Sequence, residues 1–367
     1  MRLGVSAAIV DGEIVEGDVA IEDGKLSAVA LSPAATGALA VPGFVDLQVN
    51  GFAGVDLISA DAAGYRRVGD ALAATGVTAY QPTFISSPVD TVQEGLATLS
   101  NLDGTYRGPH VLPAHLEGPF LSKRHHGAHD ARHLLEPDIA LAGNLLDAGP
   151  VGFVTLAPEL PGGLELVEHL VGRGVVVALG HTDADAATAS EAFDRGAAAV
   201  THIFNAMRRF QPRDPGLSVA AMTRDGVVVM AIVDGIHLAP ETVRLLLRAA
   251  RGRFALVTDA IEAAGLGDGV YRLSDRVVNV RGAEARLQDG TLAGSVLSMD
   301  AAVRNVVELG APIEVAIEAA TSVPARLIRR ADIGSLRVGA AADVAVLDRD
   351  LRVARTLVGG HEVYAAR

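Results

Sequence analysis

Two histidines follow two short apolar runs in the middle of the chain. His181 follows Val175–Leu179, and His202 follows Ala197–Val200. The alanine-rich polar stretch between them, Asp183–Arg195, predicts a helix, so the segment is a strand–helix–strand unit. Because such crossovers are right-handed and make the strands parallel, both imidazoles should leave the same, C-terminal, edge of the sheet. Two imidazoles at neighbouring strand ends can ligate one metal ion, most often zinc.

Three more reactive side chains follow apolar strand candidates. Glu117 lies in HLEGPF, His237 in DGIH and Asp259 in TDA. A catalytic zinc site commonly has three protein ligands and one open position, and Glu117, His181 and His202 supply such a set. An ion held there would activate water and polarise a carbonyl group. Asp259 would then be free to take a proton and return it to a leaving group, although an Asp here can also be the N-cap of a helix.

The elements that would position these side chains alternate along the middle of the chain. Apolar runs predict eight strands: Gly43–Asn50, Ala79–Phe84, Val111–Glu117, Gly152–Ala157, Val175–Gly180, Ala198–Ile203, Val228–Val233 and Phe254–Thr258. Helical stretches separate most of them, among them Asp61–Thr75, Pro88–Leu99, Leu164–Arg173 and Pro240–Arg251. Repeated strand–helix units predict an α/β fold, a (β/α)8 TIM-like barrel with its active site at the C-terminal strand ends. A doubly wound open sheet is the alternative, but no G-x-G-x-x-G motif follows an early strand.

Both ends of the chain are rich in strand patterns. The first end has Val5–Val10, Glu13–Ile21 and Lys25–Leu31, and the other end has residues 343–366. We therefore predict a small β-sandwich domain built from both termini, residues 1–41 and 333–367. The catalytic barrel, residues 42–332, is inserted between them, with a β-hairpin insertion near residues 270–292.

The composition of the 367 residues narrows the possible functions. No apolar run approaches the ~18–20 residues of a membrane span, and the first residues carry too short an apolar run for a signal peptide. The formal net charge of −13 argues against nucleic acid or an anionic membrane as a partner. The absence of cysteine excludes disulfides and thiolate ligands and fits a cytoplasmic protein.

His115 lies two residues before Glu117 and so shares its strand face. It lies one layer deeper in the predicted barrel, so we expect it to hydrogen-bond near the site rather than to bind the metal. The histidines without such a context are interpreted as surface or packing residues: His110, His133, His169 and His361.

Short motifs distributed over nearly the whole chain form one set. They are PGFVDLQVNG (42–51), HLEGPF (115–120), HHGAH (125–129), GHT (180–182), THIFNAM (201–207), PRDPGL (212–217), DGIH (234–237), TDA (258–260), DGTLAGS (289–295) and GSLRVGAAADVAVLD (334–348). This set resembles the N-acetylglucosamine-6-phosphate deacetylase family of the amidohydrolase superfamily. The resemblance implies metal-dependent hydrolysis of the acetamide of N-acetyl-D-glucosamine 6-phosphate to glucosamine 6-phosphate and acetate, in amino-sugar catabolism.

The resemblance also implies a role for each site residue. Glu117, His181 and His202 hold the metal, and Asp259 transfers the proton. His129 is a second catalytic residue, which binds the acetamide carbonyl together with the metal. The remaining substrate-binding residues implied are Ala128, Asn205, Ala206, Arg213, His237, Leu292, Ala293 and Gly294.

Arg213 and His237 are the residues implied to hold the phosphate of the substrate. An acidic protein that binds a phosphate needs a local guanidinium, which can bind it bidentately. In this family the arginine can reach across a dimer interface, which implies a homodimer. The alternative for Arg213 is a solvated loop residue.

Two positions depart from the superfamily pattern. Most members carry His-x-His after the first strand, where a second ion binds, but here the residues are Gln48 and Asn50. Amides are weaker ligands than imidazoles, so we expect one divalent ion, zinc by preference, with iron or another divalent ion as alternatives. His125 and His126 stand in a loop where a lysine is common in the family.

Other functions compete with this interpretation. Another amidohydrolase, such as a cyclic-amide hydrolase or a deacetylase of an unphosphorylated sugar, would not need Arg213 and His237. A catalytically inactive assembly protein would usually lose metal ligands, whereas the whole set is present here.

Overall fold

The computed structural model of the chain describes residues 1–102 and 104–366, in which it forms 22 strands and ten α-helices. The strands β1 to β22 are, in chain order, Ala7–Val10, Glu13–Glu16, Asp18–Glu22, Lys25–Leu31, Leu39–Pro42, Phe44–Val49, Gly51–Phe52, Val55–Asp56, Val77–Ile85, His110–Val111, Ala114–Glu117, Val151–Leu156, Val176–Leu179, Ala199–Val200, Val228–Ala231, Phe254–Leu256, Gly269–Leu273, Arg276–Arg281, Glu284–Arg286, Val344–Leu347, Val353–Val358 and His361–Ala365. The helices α1 to α10 are Ala62–Ala73, Val89–Ser100, Ile139–Ala148, Gly163–Gly172, Ala186–Asp194, Gly216–Met222, Pro240–Ala249, Met299–Glu308, Ile313–Ala320 and Ser322–Leu327.

Parallel strands in the order β6, β9, β11, β12, β13, β14, β15 and β16 form a barrel. The first and last strands meet where Val49 pairs with Ala260 and where the Thr258 hydroxyl donates to Asp46 at 2.6 Å. β9 is buried along its whole length, as expected for a strand covered on both faces. The predicted (β/α)8 barrel is therefore confirmed, and the open-sheet alternative is wrong.

Two barrel strands are shorter or less regular than predicted. The predicted strand Val111–Glu117 is divided into β10 and β11 around Pro113, which has no N–H to donate to a neighbouring strand. The predicted strand Ala198–Ile203 pairs only as β14, because the backbone turns sharply at His202, where φ is 29°.

The predicted helices in the barrel are present within a few residues of their expected bounds. α1 begins after Asp61, whose side chain accepts from the N–H of Gly64 at 2.8 Å, and α5 begins after Asp185 in the same way. α7 begins at Pro240, a residue well suited to the first helical position. These N-caps and the N-terminal proline define where each helix begins after its barrel strand.

The two ends of the chain form a small β-sandwich beside the barrel. One sheet has the order β2, β1, β5, β20, β21, β22, and a second sheet pairs β3 with β4. The two sheets share a core that includes Val5, Val19, Leu26, Val344 and Leu357. The predicted small β-sandwich from both termini is thus confirmed. The predicted strand Glu13–Ile21 is split at Gly17 (φ 122°), where a Cβ would lie 2.4 Å from the carbonyl oxygen of Leu31.

The insertion after the eighth barrel strand has three antiparallel strands, β17 to β19, rather than two. The predicted domain limits, residues 1–41, 42–332 and 333–367, stay a prediction, and Asp103 and Arg367 within them lie outside the described residues. None of the helices among the described residues is long and apolar enough to cross a membrane.

Asp18 ties the first residues to the small β-sandwich. Its side chain is 2% exposed and accepts hydrogen bonds from the backbone N–H groups of Gly4, Val5 and Val19 at 2.8–3.0 Å and from Arg2 Nε at 2.8 Å. Burial alone would raise the pKa of Asp18, but these hydrogen bonds outweigh burial and lower it. The ionised carboxylate is therefore a net stabilising group of the fold.

We expect Asp18→Asn to lower the free energy of unfolding by about 2–3 kcal/mol, because it weakens several charge-assisted hydrogen bonds in a buried site. Chemical denaturation followed by circular dichroism measures the change. Glu22→Gln, an exposed position on the same strand, is the control and should alter stability by less than about 0.5 kcal/mol. Equal effects of the two variants would contradict the role assigned to Asp18.

Candidate active site

A pocket of about 220 Å³ opens at the C-terminal ends of the barrel strands. All of the predicted site residues line it except Arg213 and Ala293. Glu117 is the last residue of β11, whereas His181, His202 and Asp259 follow β13, β14 and β16 within three residues. The barrel therefore brings residues from distant parts of the sequence to one end, as this fold commonly does.

The strand register explains why the two metal-ligand histidine candidates meet. Leu179 of β13 pairs with Val200 of β14, so His181 and His202 each stand two residues beyond one paired position. Both have positive φ angles, 48° and 29°, and Asp259 shares this strain with φ 51°. Such strained non-glycine residues cluster at functional sites, where the surrounding structure holds them in place.

Three buried donor atoms, one each from Glu117, His181 and His202, converge at the pocket. Glu117 Oε1 lies 2.8 Å from His202 Nε2 and 3.2 Å from His181 Nε2, and the two nitrogens are 3.1 Å apart. The three side chains are 2–4% exposed. Two imidazole nitrogens and a carboxylate oxygen pointing at one another are a donor set suited to a divalent cation. The residues present therefore fit the metal that the sequence predicts.

The tautomer of His181 supports a ligand role. Its Nδ1 lies 2.8 Å from the backbone carbonyl oxygen of His125, which can only accept, so Nδ1 carries the proton. Nε2 then presents its lone pair to the cluster. Metal-binding histidines usually donate their other N–H in this way.

His129 has the opposite tautomer. The backbone N–H of Ser86 donates to its Nδ1 at 3.2 Å, so Nδ1 carries the lone pair and Nε2 the proton. Burial lowers the pKa of His129 well below its ordinary value, which keeps the ring neutral. Donor atoms of Glu117, His129 and His181 also lie within 4.8 Å of one another. Because Nε2 of His129 is protonated, the geometry favours a hydrogen-bond donor there rather than a ligand.

The loop that supplies the His125 carbonyl is held by an ionic cluster around Asp183. Arg124 Nη1 lies 2.5 Å from this carboxylate, His125 Nε2 lies 3.0 Å from it, and Arg208 Nε lies 3.3 Å from it. His125 and His126, which depart from the family pattern, therefore lie in a loop that is held in place by contacts with Asp183. His126 Nδ1 lies 3.0 Å from the carbonyl oxygen of His129.

Asp259 is positioned from the first barrel strand. Asn50 Nδ2 donates to Asp259 Oδ1 at 2.7 Å, and the Asp259 N–H donates to the carbonyl oxygen of Gln48 at 2.9 Å. Burial, reinforced by the charge of Glu117, raises the pKa of Asp259 to about 7. A cation bound beside it would act in the opposite direction. The two hydrogen bonds thus fix Asp259 at the wall of the pocket.

The two amides that replace the second-metal histidines have different surroundings. Asn50 orients Asp259, a role that the sequence did not suggest. Gln48 is fully buried, and its amide atoms have no hydrogen-bond partner among the described residues.

His237 is fixed by a residue that the sequence analysis missed. Asp234 Oδ2 lies 2.7 Å from His237 Nδ1, and Asp234 Oδ1 accepts from the N–H groups of Ile236 and His237 at 2.8 Å each. Nδ1 therefore donates, and Nε2 is left for the pocket. The D-G-I-H spacing, in which an Asp can accept from N–H groups two and three residues on, was the available signal.

Arg213 lies outside the pocket of its own chain. It is exposed on the loop that follows Met207, where Arg208 pairs with Asp214 at 3.1 Å. Phe210 of the same loop is 57% exposed. Ala293 is buried behind the pocket wall, which its neighbours Leu292 and Gly294 line.

His115 contacts neither the pocket nor the donor cluster. Its Nδ1 lies 3.2 Å from the carbonyl oxygen of Leu47, and its Nε2 lies 2.7 Å from Thr155 Oγ1. Burial lowers the pKa of His115 to about 4, so the ring is neutral. It packs in the layer below the ligands.

Comparison with known proteins gives concordant results. Residues 39–363 match the model of the amidohydrolase family. The chain is 39% identical to N-acetylglucosamine-6-phosphate deacetylase of Bos taurus over 347 residues, which cover 89% of this chain and 84% of that protein. It is 34% identical to N-acetylgalactosamine-6-phosphate deacetylase of Escherichia coli O157:H7 over 359 residues, 95% of each chain.

The solved structures include a similar fold. The crystal structure of N-acetyl-D-glucosamine-6-phosphate deacetylase from Mycobacterium smegmatis superimposes with a TM-score of 0.92 at 33% identity. The match covers 99% of this chain and all of that one.

A buried carboxylate below the pocket joins the first and last barrel strands. Asp46 is fully buried and accepts from the Thr258 hydroxyl at 2.6 Å and from the N–H groups of Thr258 and Gln48 at 3.2 Å each. Burial raises the pKa of Asp46 from 3.8 to about 7, despite these hydrogen bonds. Thr258 precedes Asp259, so this contact also supports the pocket.

The raised pKa of Asp46 predicts a pH effect on stability. A carboxyl with a folded-state pKa above its unfolded value destabilises the folded chain increasingly as pH rises from about 4 to about 7. Asp46→Asn cannot ionise, so its stability relative to the parent should rise by about 2–4 kcal/mol across that window. Denaturation curves at several pH values measure this difference, and parallel curves for the two proteins would contradict it.

Proposed function

The chain belongs to the amidohydrolase family, and from this membership and its pocket we propose that it hydrolyses the acetamide of N-acetyl-D-glucosamine 6-phosphate. The products are glucosamine 6-phosphate and acetate, in amino-sugar catabolism. The observation that carries the proposal is the convergence of Glu117, His181 and His202 beside Asp259 in one buried pocket. A metal-donor set next to a proton-transfer carboxylate can catalyse amide hydrolysis.

We assign one divalent ion to Glu117, His181 and His202. Zinc suits two imidazoles and one carboxylate, although iron and other divalent ions suit them too. When bound, the ion supplies Lewis-acid polarisation of the substrate carbonyl and of the attacking water. Gln48 and Asn50 offer only weak amide donors, and Asn50 is already bonded to Asp259, so a second ion has no comparable set.

His129 and Asp259 perform the proton and hydrogen-bond chemistry. Nε2–H of His129 donates to the acetamide oxygen, where negative charge develops as the carbonyl carbon becomes tetrahedral. Asp259 takes a proton from water as the water oxygen bonds to that carbon. It then gives the proton to the amide nitrogen as the C–N bond breaks, which releases the amine and acetate. Asn50 keeps the carboxylate aimed at this position.

The other end of the pocket is assigned to the sugar phosphate. We assign His237, held by Asp234, to the phosphate, and Asn205 and Ala206, which also line the pocket, to the rest of the substrate. Ala128, Leu292 and Gly294 would enclose the sugar ring, with Ala293 packed behind them. His237 is the residue of the chain's own pocket that we assign to the phosphate.

Arg213 would complete the phosphate site in a homodimer. It is exposed and lies outside its own pocket, and exposed Phe210 beside it gives the loop an apolar surface for a partner. We therefore propose that Arg213 of each subunit reaches the phosphate in the pocket of the other. The proposal also includes a cytoplasmic location, which fits a chain without cysteine, and no nucleic-acid or membrane partner.

The 4-epimer, N-acetylgalactosamine 6-phosphate, is a second candidate substrate because a relative with 34% identity carries that name. A substrate panel tests the proposal: both epimers, each with and without the 6-phosphate, with acetate release as the readout. We expect the highest kcat/KM for N-acetyl-D-glucosamine 6-phosphate. No acetate from either phosphorylated sugar would overturn the proposal.

We predict that Asp259→Asn lowers kcat by about 10²–10⁴-fold, because one group serves both proton transfers. Metal analysis should find one equivalent in both the variant and the parent, and KM should change only a few-fold. Asp147→Asn, at an exposed ion pair with Arg173, is the control and should keep the parent rate. A variant that retains more than about a tenth of kcat would place the base elsewhere.

We predict that Arg213→Ala lowers kcat/KM for the phosphorylated substrate by about 30-fold or more, since a charge-assisted contact is lost, and affects the free sugar little. Co-expression with Asp259→Asn tests the shared site. In a mixed dimer one pocket has both Asp259 and the partner subunit's Arg213, so activity should recover. Mixed dimers without recovered activity would show that Arg213 does not act across the interface.

A further inference from the structure

A second cavity, of about 400 Å³, lies at the opposite, N-terminal end of the barrel. It is bounded by the chain entering β13, β14 and β15, by the residues after α7, and by α10. It shares no lining residue with the candidate active site. The mechanism proposed for the pocket therefore does not account for it.

The charge of this cavity is opposite to that of the chain. Arg251, Arg253, Arg326 and Arg329 line it, and none of the described lining residues is Asp or Glu. The whole chain has a net charge of −13, and arginines elsewhere commonly pair with carboxylates, as Arg304 does with Asp300 at 2.6 Å. The cavity is a local positive site on an acidic protein.

The four guanidinium groups differ in the number of hydrogen bonds that they make. Arg253 donates to four backbone carbonyl oxygens around the cavity and so belongs to its wall. Arg326 donates to the carbonyl oxygen of Gly252 at 2.9 Å and lies 3.3 Å from Ser322 Oγ. The side chains of Arg251 and Arg329 have no hydrogen bond or ion pair to any residue that the structure describes. Several N–H donors therefore remain available to an anion.

The backbone at Arg329 also needs explanation. Arg329 lies two residues after the end of α10 and has φ 58°. Positions just after a helix in this conformation are usually glycine, since a side chain there is strained. The chain keeps an unpaired arginine at this strained position, at the edge of the cavity.

Part of the cavity lining is apolar. Val176 and Val228 at the strand starts and Leu327 of α10 line the cavity together with Val323. Apolar side chains combined with a few charged groups are the usual composition of a small-ligand site. The volume is also in the range of such sites.

We propose that this cavity binds the phosphate group of a small ligand, held by Arg251 and Arg329 with Arg326 beside them. Guanidinium groups match phosphate oxygens bidentately and keep their charge at all physiological pH values. Long-range repulsion by the acidic chain makes such a site depend on these short contacts. The phosphate can be free in solution or part of an organic molecule whose apolar part contacts the valine and leucine side chains of the cavity.

The competing explanation is structural. Arginines at the C-terminal ends of helices favourably oppose the helix dipole, and Arg253 makes contacts of that kind. This explanation does not extend to Arg251 and Arg329, which bond to no helix carbonyl among the described residues. It predicts that their loss lowers stability without any effect on anion binding.

Hydrogen–deuterium exchange of the full-length protein, titrated with inorganic phosphate or with phenyl phosphate, tests the proposal. We expect slower exchange in residues 250–253 and 325–330, distinct from any change in the active-site loops at 125–129 and 204–207. Arg251→Gln/Arg329→Gln should weaken the binding that causes this protection by at least about tenfold, because two charge-assisted contacts are lost. The kcat/KM of this double variant should stay at the parent value, which would show that the variant is correctly folded.

Arg248→Gln/Arg281→Gln is the matched control, since it removes two exposed arginines outside the cavity. It should keep the protection of the parent protein. Tighter binding of phenyl phosphate than of phosphate would identify an organic ligand, and equal binding would identify free phosphate. Absence of protection with both probes, or equal protection in the cavity variant and the control, would overturn the proposal.

Discussion

A carboxylate buried between two imidazole nitrogens is the constraint that the rest of the structure serves. Glu117 ends one strand, His181 and His202 each follow another, and the donor atoms of the three side chains lie within 3.2 Å of each other. This arrangement requires parallel strands in one register, since a shift by one residue would turn each side chain to the other face. The pairing of Thr155 with both Glu117 and Ala178 across β12 fixes that register. The register of the barrel strands thus positions the three donor atoms.

Two histidines in this pocket are chemically different because their backbone partners differ. A carbonyl oxygen faces Nδ1 of His181, and an N–H faces Nδ1 of His129. The first contact exposes a lone pair at Nε2 and the second a proton. The sequence spacing placed both histidines at strand ends or nearby loops, but no spacing reveals which backbone atom will face a ring nitrogen. That information belongs to contacts between segments that are far apart in the chain.

The sequence predicted the parts of the structure that follow from periodicity. The strand–helix repeat predicted the barrel, and the polar residues after the strands predicted the pocket's main side chains. Long-range side-chain contacts could not be predicted in this way, so the role of Asn50 at Asp259 and the role of Asp234 at His237 were missed. The position of Arg213 outside its own pocket likewise depends on the conformation of one loop, in which Arg208 pairs with Asp214. The three-stranded insertion and the split at Gly17 depend on local backbone geometry.

The small β-sandwich can close only late in the synthesis of the chain. β5 pairs with β1 on one side, but its other edge pairs with β20, whose first residue is about 300 positions later. At a translation rate of about 5–20 residues per second, that edge waits on the order of 15–60 seconds for its partner. During this time the strand presents unpaired N–H and C=O groups, as an edge strand does. All barrel strands are synthesised before β20, so they can pair with one another while this edge of the sandwich is still open.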